Sequence, residues 1–126
     1  MISPKEFTKR KNIGNFGEKI ARKYLESKQY QIVGQNFYVR GGEIDLIAQK
    51  DGILVFVEVK TSTGKVFGGA SMAMTGYKRF KLIKAIAKYL ARSGEPQPWR
   101  LDFISIDISE GKKSARLRHF SNILAK

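Results

Sequence analysis

Between positions 16 and 28 the apolar residues Phe16, Ile20, Ala21, Tyr24 and Leu25 recur at steps that keep them on one helical face, which predicts an amphipathic helix. Glu18–Arg22 and Arg22–Glu26 are i,i+4 pairs of opposite charge and lend it modest support. Upstream, Lys5, Lys9, Arg10 and Lys11 gather around Pro4, and residues 1–13 read as a flexible basic arm. The period then shortens to two. Tyr30 to Val39 reads as a strand with a bulge or bend at Gly34, and Arg40-Gly41-Gly42 as a turn. Glu43 to Gln49 and Ile53 to Thr61 read as two further strands joined by a tight Asp51-Gly52 turn. Residues 62–74, with Gly64, Gly68 and Gly69, read as a loop. Thr75 is a good N-cap for a long helix to about Arg92, with Phe80, Ile83, Ala87 and Leu90 on its buried face. Gly94-Glu95-Pro96 ends that helix, Leu101 to Ile108 alternates as a strand, and Ala115 to Phe120 reads as a last short strand. The order αβββαβ predicts one α/β domain spanning 1–126, a central mixed sheet flanked by helices.

Composition narrows what such a domain can do. There is no Cys and only one His, His119, which excludes thiolate and His-rich metal sites and disfavours a Ser-His-Asp triad. Any chemistry must fall to carboxylates and lysines. His119 itself reads as structural or as a weak surface contact. Lys plus Arg number 24 against 11 Asp plus Glu, and the resulting charge of +13 asks for a polyanionic partner, nucleic acid before an anionic membrane surface. The longest apolar run, Ile53 to Val57, is far too short to span a bilayer. The start carries no signal-like segment, so a cytoplasmic protein is expected. Neither phosphate-binding glycine motif, G-x-x-x-x-G-K-[ST] or G-x-G-x-x-G, occurs.

The scarce acids are concentrated. Glu43, Asp45, Asp51 and Glu58, four of the eleven, lie in the Gly42-Glu43-Ile44-Asp45-Leu46-Ile47 and Val55-Phe56-Val57-Glu58-Val59-Lys60-Thr61 hairpin. Strand alternation puts Glu58 and Lys60 on one face with Val57 and Val59 on the other. It likewise pairs Glu43 with Asp45, with Ile44 and Leu46 behind them. Asp45, Glu58 and Lys60 can thus meet at one end of an apolar sheet. Two carboxylates, with the backbone carbonyl of Val59 as an extra ligand, can hold Mg²⁺ or Mn²⁺ while water and phosphate oxygens complete the shell. Lys60 can orient or help deprotonate a water and stabilise charge in the transition state. A salt-bridged strand end would leave the same pattern.

The pattern Gly-Glu-Ile-Asp-Leu-Ile followed by Val-Phe-Val-Glu-Val-Lys-Thr resembles the PD-(D/E)-x-K nuclease motif. More closely, the chain resembles the YraN-like family of predicted bacterial endonucleases, distantly similar to archaeal Holliday junction resolvases. The residues that carry the likeness are Gly14 to Leu25, Asn36, Gly42 to Ile47, Val55 to Thr61, Phe67-Gly68, Thr75, Lys78 and Arg100 with Asp102. The resemblance implies a restriction-endonuclease-like core and metal-dependent hydrolysis of phosphodiesters in DNA, structure-selective as in a resolvase. It places Asp45, Glu58 and Lys60 on catalytic positions and Glu18 on one that completes the metal site, against the alternative of an ion pair with Arg22. Glu43 takes a supporting position. A homodimer is implied by analogy only. Ser62 stands where the family often has Arg, and Met72 where an acid is common.

Nucleic-acid contacts are expected from Lys78, Arg79, Lys81, Lys84, Lys88 and Arg92, a helical run with no acid among them. Arg40, beside Gly41-Gly42, can grip a backbone phosphate. The N-terminal arm and Lys112, Lys113, Arg116 and Arg118 can extend the footprint. Trp99 or Phe67 can stack on bases or pack in the core. A non-catalytic nucleic-acid-binding module on the same fold is the competing reading. A membrane binder is disfavoured, because the sheet needs the apolar face of the basic helix.

Overall fold

The computed structural model describes residues 3–63, 75–109, 111 and 113–125. Phe67, Gly68, Met72, Lys112 and most of the expected 62–74 loop lie outside these. The elements are α1 (Pro4–Ser27), β1 (Gln31–Val39), β2 (Gly42–Lys50), β3 (Ile53–Thr63), α2 (Gly76–Ser93), β4 (Trp99–Ile108) and β5 (Ala115–Phe120). The strands form one sheet in the order β1-β2-β3-β4-β5. Only β3 and β4 run parallel, joined through α2; the other neighbours are antiparallel. This mixed sheet flanked by two helices is the α/β arrangement expected, consistent with a restriction-endonuclease-like core.

Each helix covers one face. On the α1 side Ala21 and Leu25 pack on Leu46, Val55, Val57 and Ile104; on the α2 side Leu82, Ala85 and Ile86 pack on Ile44, Ile47, Phe56 and Leu101. Two glycines allow the close approach. A Cβ on Gly17 would collide with the Thr61 side chain, and one on Gly42 would stand 2.8 Å from the Lys81 carbonyl oxygen. The first contact seats α1 on β3, and the second seats α2 on β2.

Three expectations change. The basic segment before Phe16 is helical from Pro4: Ser3 accepts from the Glu6 N–H as N-cap, and proline occupies the first turn, where its missing N–H costs nothing. The buried face of α2 is Leu82, Ala85 and Ile86, not Phe80, Ile83 and Ala87; Phe80 is 65% exposed. The helix carries two apolar stripes, and the approach of Gly42 to Lys81 selects the one that meets the sheet. Finally, Ile44 and Leu46 do not share a face, since they belong to opposite cores. The irregularity lies between the Gln35–Leu46 and Phe37–Ile44 pairs, where Asn36 adopts a φ of 52°. The bulge expected at Gly34 is present as a register shift between Ile32 and Gly34.

Candidate active site

The face switch on β2 falls at Asp45. Pairing between β2 and β3 ends at Leu46–Val57, and beyond it the Asp45 side chain takes over: Oδ2 accepts from the Val59 N–H at 2.8 Å. A carboxylate thus replaces a ladder bond and is fixed among buried residues, 8% exposed. Val59 therefore contributes an N–H to this site, through the residue between Glu58 and Lys60.

Glu58, half-buried on β3, forms a side-chain hydrogen bond with Asp45. Its carboxyl is pushed up to about 9 by burial, by the Asp45 charge and by that hydrogen bond, with Lys78 pulling the other way. Burial also raises Asp45, against the hydrogen bonds from Glu58 and Val59 and the charges of Lys78 and Lys60. Both carboxyls are thus held above the usual carboxylate range, and at neutral pH the pair shares a proton. Glu18 reaches the same field from α1; burial and then the charges of Asp45 and Glu43 push it up to about 7. Glu43 is raised by burial and by Asp45. Four carboxylates from three elements are thus crowded beyond what the nearby lysines neutralise. Arg22, the alternative partner for Glu18, instead donates from Nη1 to Gln35 Oε1 at 3.1 Å.

Among the described residues no three Asp, Glu, His or Cys side chains are arranged to hold a metal ion. The donor set nevertheless suits a hard, well-hydrated cation. Mg²⁺ needs only one or two carboxylates beside waters and phosphate oxygens, and the excess negative charge around Asp45 is what such an ion neutralises.

Two grooves flank the pair. One, of about 510 Å³, runs between α1 and the end of β3 and is lined by Lys9, Arg10, Glu18, Lys60 and Ser62 among others. The second, of about 490 Å³, lies toward α2 and is lined by Tyr38, Glu43, Glu58, Lys78 and Lys81 among others. A larger concavity of about 580 Å³ follows α1 from Pro4 to Ile13 and contains none of the four carboxylates.

A model of the family described as "Uncharacterised protein family UPF0102" matches residues 17–106. The UPF0102 protein of Symbiobacterium thermophilum is 41% identical over 109 residues, covering 85% of this chain and 92% of its own. That of Herpetosiphon aurantiacus is 38% identical over 119 residues, covering 90% and 94%. That of Caldanaerobacter subterraneus is 40% identical over 116 residues, with the same coverages of 90% and 94%. The chain belongs to the UPF0102 family. The segment matched by the UPF0102 model begins at Gly17, the residue that seats α1 on Thr61, and includes Glu18, Glu43, Asp45, Glu58 and Lys60.

The basic residues divide. Lys78 and Lys81 line the α2-side groove, and Lys84 Nζ stands 3.9 Å from a Cβ built on Gly41, near the same rim. Arg79 and Arg40 are exposed. Lys88 and Arg92 lie one and two turns beyond Lys84, and Arg92 stacks over Phe37 at 5.2 Å. Arg118 is tied to Asp107 at 3.2 Å, and Asp107 also accepts from Ser62 Oγ at 2.6 Å. Trp99 packs edge-on against Phe56 and is partly exposed.

Sequence reasoning missed a second polar centre. Asp102 accepts from Arg100 at 3.0 and 3.2 Å, from His119 Nε2 at 2.7 Å and from the Asn122 N–H at 2.9 Å. Tyr24 Oη lies 3.0 Å from the other ring nitrogen of His119, and Arg100 donates to Tyr30 Oη at 2.6 Å. His119 thus belongs to a network linking α1, β4 and β5. The pairing of Arg100 and Asp102 two positions apart on a strand was its only trace in the sequence.

Proposed function

We propose that this UPF0102 protein is a metal-dependent nuclease that hydrolyses phosphodiester bonds in DNA, with a preference for structured rather than plain duplex substrates. The observation that carries this reading is the Asp45–Glu58 pair, under-neutralised and anchored by the Val59 N–H, with Glu58 lining one lysine-bearing groove and Glu18, Val59 and Lys60 lining a second, in a chain of charge +13. Asp45 and Glu58 would hold Mg²⁺ or Mn²⁺ with the Val59 carbonyl, and Glu18, in the field of Asp45, would be a further donor. When bound, such an ion neutralises charge on the phosphate and lowers the pKa of a water.

The chain's own groups do the rest. Lys60, in the field of Asp45, offers an ammonium to charge that develops in the transition state. Lys78, on the other side, balances the two carboxylates and can take a phosphate oxygen. Glu43 adds its charge to the field at Glu18 and Glu58 without serving as a ligand. The grooves on either side give a bound strand a path across the pair, with phosphates met by Lys9 and Arg10 on one flank and Lys81 on the other.

The test is cleavage of labelled junction, flap, single-stranded and duplex DNAs with Mg²⁺ or Mn²⁺. Asp45→Asn should lower the rate by at least about 10³-fold, the scale of losing a metal and its electrostatic stabilisation, while binding without metal is retained. Metal alone should raise the melting temperature of the native protein and not of Asp45→Asn, since only a ligand of the folded state stabilises it. Binding without cleavage of any substrate would leave a nucleic-acid-binding module instead.

A further inference from the structure

Of the five tyrosines, Tyr24, Tyr30, Tyr77 and Tyr89 each have a ring or a cation against their own ring. Among the described residues Tyr38 has neither, and it is 66% exposed. It is not on a loose segment. Tyr38 pairs with Glu43 in the β1–β2 ladder, and its neighbours Phe37 and Val39 pack into the α2-side core. On this fixed backbone Tyr38 is among the residues that line the groove containing Glu58, Lys78 and Lys81. On the α2 rim, Lys81 Nζ stands 4.9 Å from the ring centroid of Tyr77, which is 69% exposed.

We infer that Tyr38 is a stacking platform for an unpaired nucleobase beside the scissile phosphate, so that the substrate is a DNA strand with its bases exposed at the site. The inference rests on the nuclease reading for the identity of the ligand and deepens it. Lys78 and Lys81 supply charge for phosphates, and the exposed aromatic ring of Tyr38, lining the same groove, supplies what a phosphate does not need. A duplex hides the faces of its bases in its own stack and offers a ring only edges and backbone. A single strand, a flap or the open centre of a branched structure offers a π-face, and base–aromatic stacking tolerates any sequence. Tyr38 is a positioning residue in this scheme, not a catalytic one.

The test reads binding without divalent metal, in chelator, so that cleavage plays no part. The probes are fluorescein-labelled oligo(dT), a blunt hairpin duplex, and a strand of abasic sites with the same number of phosphates. Stacking of one base is worth about 1–3 kcal/mol, so Tyr38→Ala should bind oligo(dT) about 5- to 150-fold more weakly. Tyr38→Phe and Tyr38→Trp, which keep a ring, should bind it like the native protein or more tightly. Affinity for the hairpin and for the abasic strand should change by less than about twofold. Native affinity of Tyr38→Ala for oligo(dT) overturns the inference, and so does an equal loss on all three probes. Should Tyr38→Ala fail to fold, as judged by circular dichroism, failure of Tyr38→Leu to discriminate the probes overturns it as well. A protein that never cleaves still answers this experiment, and a nuclease indifferent to Tyr38 leaves the nuclease reading standing.

Discussion

Asp45 and Asp102 are buried in the same sheet, 8% and 0% exposed, on the two strands that flank β3. Burial works against both charges, with opposite outcomes. At Asp102 hydrogen bonds from His119, Arg100 and the Asn122 N–H outweigh burial and hold the carboxyl below the usual carboxylate range. At Asp45 the Val59 N–H, Glu58 and two lysines do not outweigh it, and the carboxyl lies above that range. One aspartate has every lone pair answered by the protein. The other is placed with equal care and left short of positive charge. A buried acid that the fold satisfies ties elements together; being left short of positive charge is what makes Asp45, and not Asp102, the centre of the proposed site.

The largest expected effect separates the two by stability. Asp102→Asn leaves Arg100 and His119 facing a neutral amide and removes an anion from a buried network. The cost of breaking one partner of a buried ion pair is about 3–5 kcal/mol, at its lower end here because Arg100 is partly exposed. Asp45→Asn should leave stability unchanged or raise it, while abolishing cleavage. Denaturant unfolding of the two variants side by side measures this. Equal losses at both positions would make Asp45 a structural residue and end the contrast.

A smaller effect appears in pH. Glu58 has a folded pKa of about 9 against about 4.5 in the unfolded chain, so from pH 4.5 upward the unfolded state gives up its proton first. The folded state therefore loses stability as pH rises through that interval. Glu58→Gln keeps the hydrogen bond to Asp45 and removes the titration. It should be more stable than the native protein by about 1–3 kcal/mol at pH 8 and little different at pH 4. Asp102 runs the other way. Its folded pKa is lowered, so its contribution is present above the unfolded value of 3.8 and fades as pH falls through the folded one. Unfolding curves at pH 4, 6 and 8 for both proteins decide it, and a pH-independent gap would place no proton on Glu58.

How much of this the sequence disclosed follows from range. The acidic hairpin was legible because its turn, its alternation and its acids are all local: Asp51-Gly52 closes it, with positive φ at both residues, and Thr75 caps α2 as expected. The start of α1 was also written locally, as Ser3-Pro4 with Glu6, but the run of lysines around it drew the reading toward an arm. The choice between the two apolar stripes of α2 was not legible, because only contact with Gly42 settles it. Nor was the tie from Asp102 to His119, which joins positions on different strands. The face switch at Asp45 had one sign, an Asn at position 36, a residue type that tolerates positive φ. Glu18 reached the cluster because Gly17 lets α1 sink onto Thr61, a contact that no spacing announces.

The smallest effect concerns the charges that surround the contrast. Arg100 and Arg118 are committed to Asp102 and Asp107, whereas among the described residues Lys84 and Lys88 have no acidic partner, and of Lys81, Lys84 and Lys88 the first lines the groove beside Lys78. Each lysine that meets a phosphate on duplex DNA contributes about 0.9 to the slope of log affinity against log salt. Replacing Lys81, Lys84 and Lys88 together by Ala should flatten the slope by about 2–3 units, similarly on unrelated sequences, because phosphate contacts carry no base information. The single replacements should be graded. Lys81→Ala should flatten it by about one unit, Lys84→Ala by nearly as much, and Lys88→Ala least, since it stands a turn further from the groove. Titrations of Asp45→Asn protein at several salt concentrations measure all four without interference from cleavage. If Lys88 dominates the series, DNA lies along the far end of α2, away from the carboxylates, and the groove at Glu58 loses its claim to be the docking path.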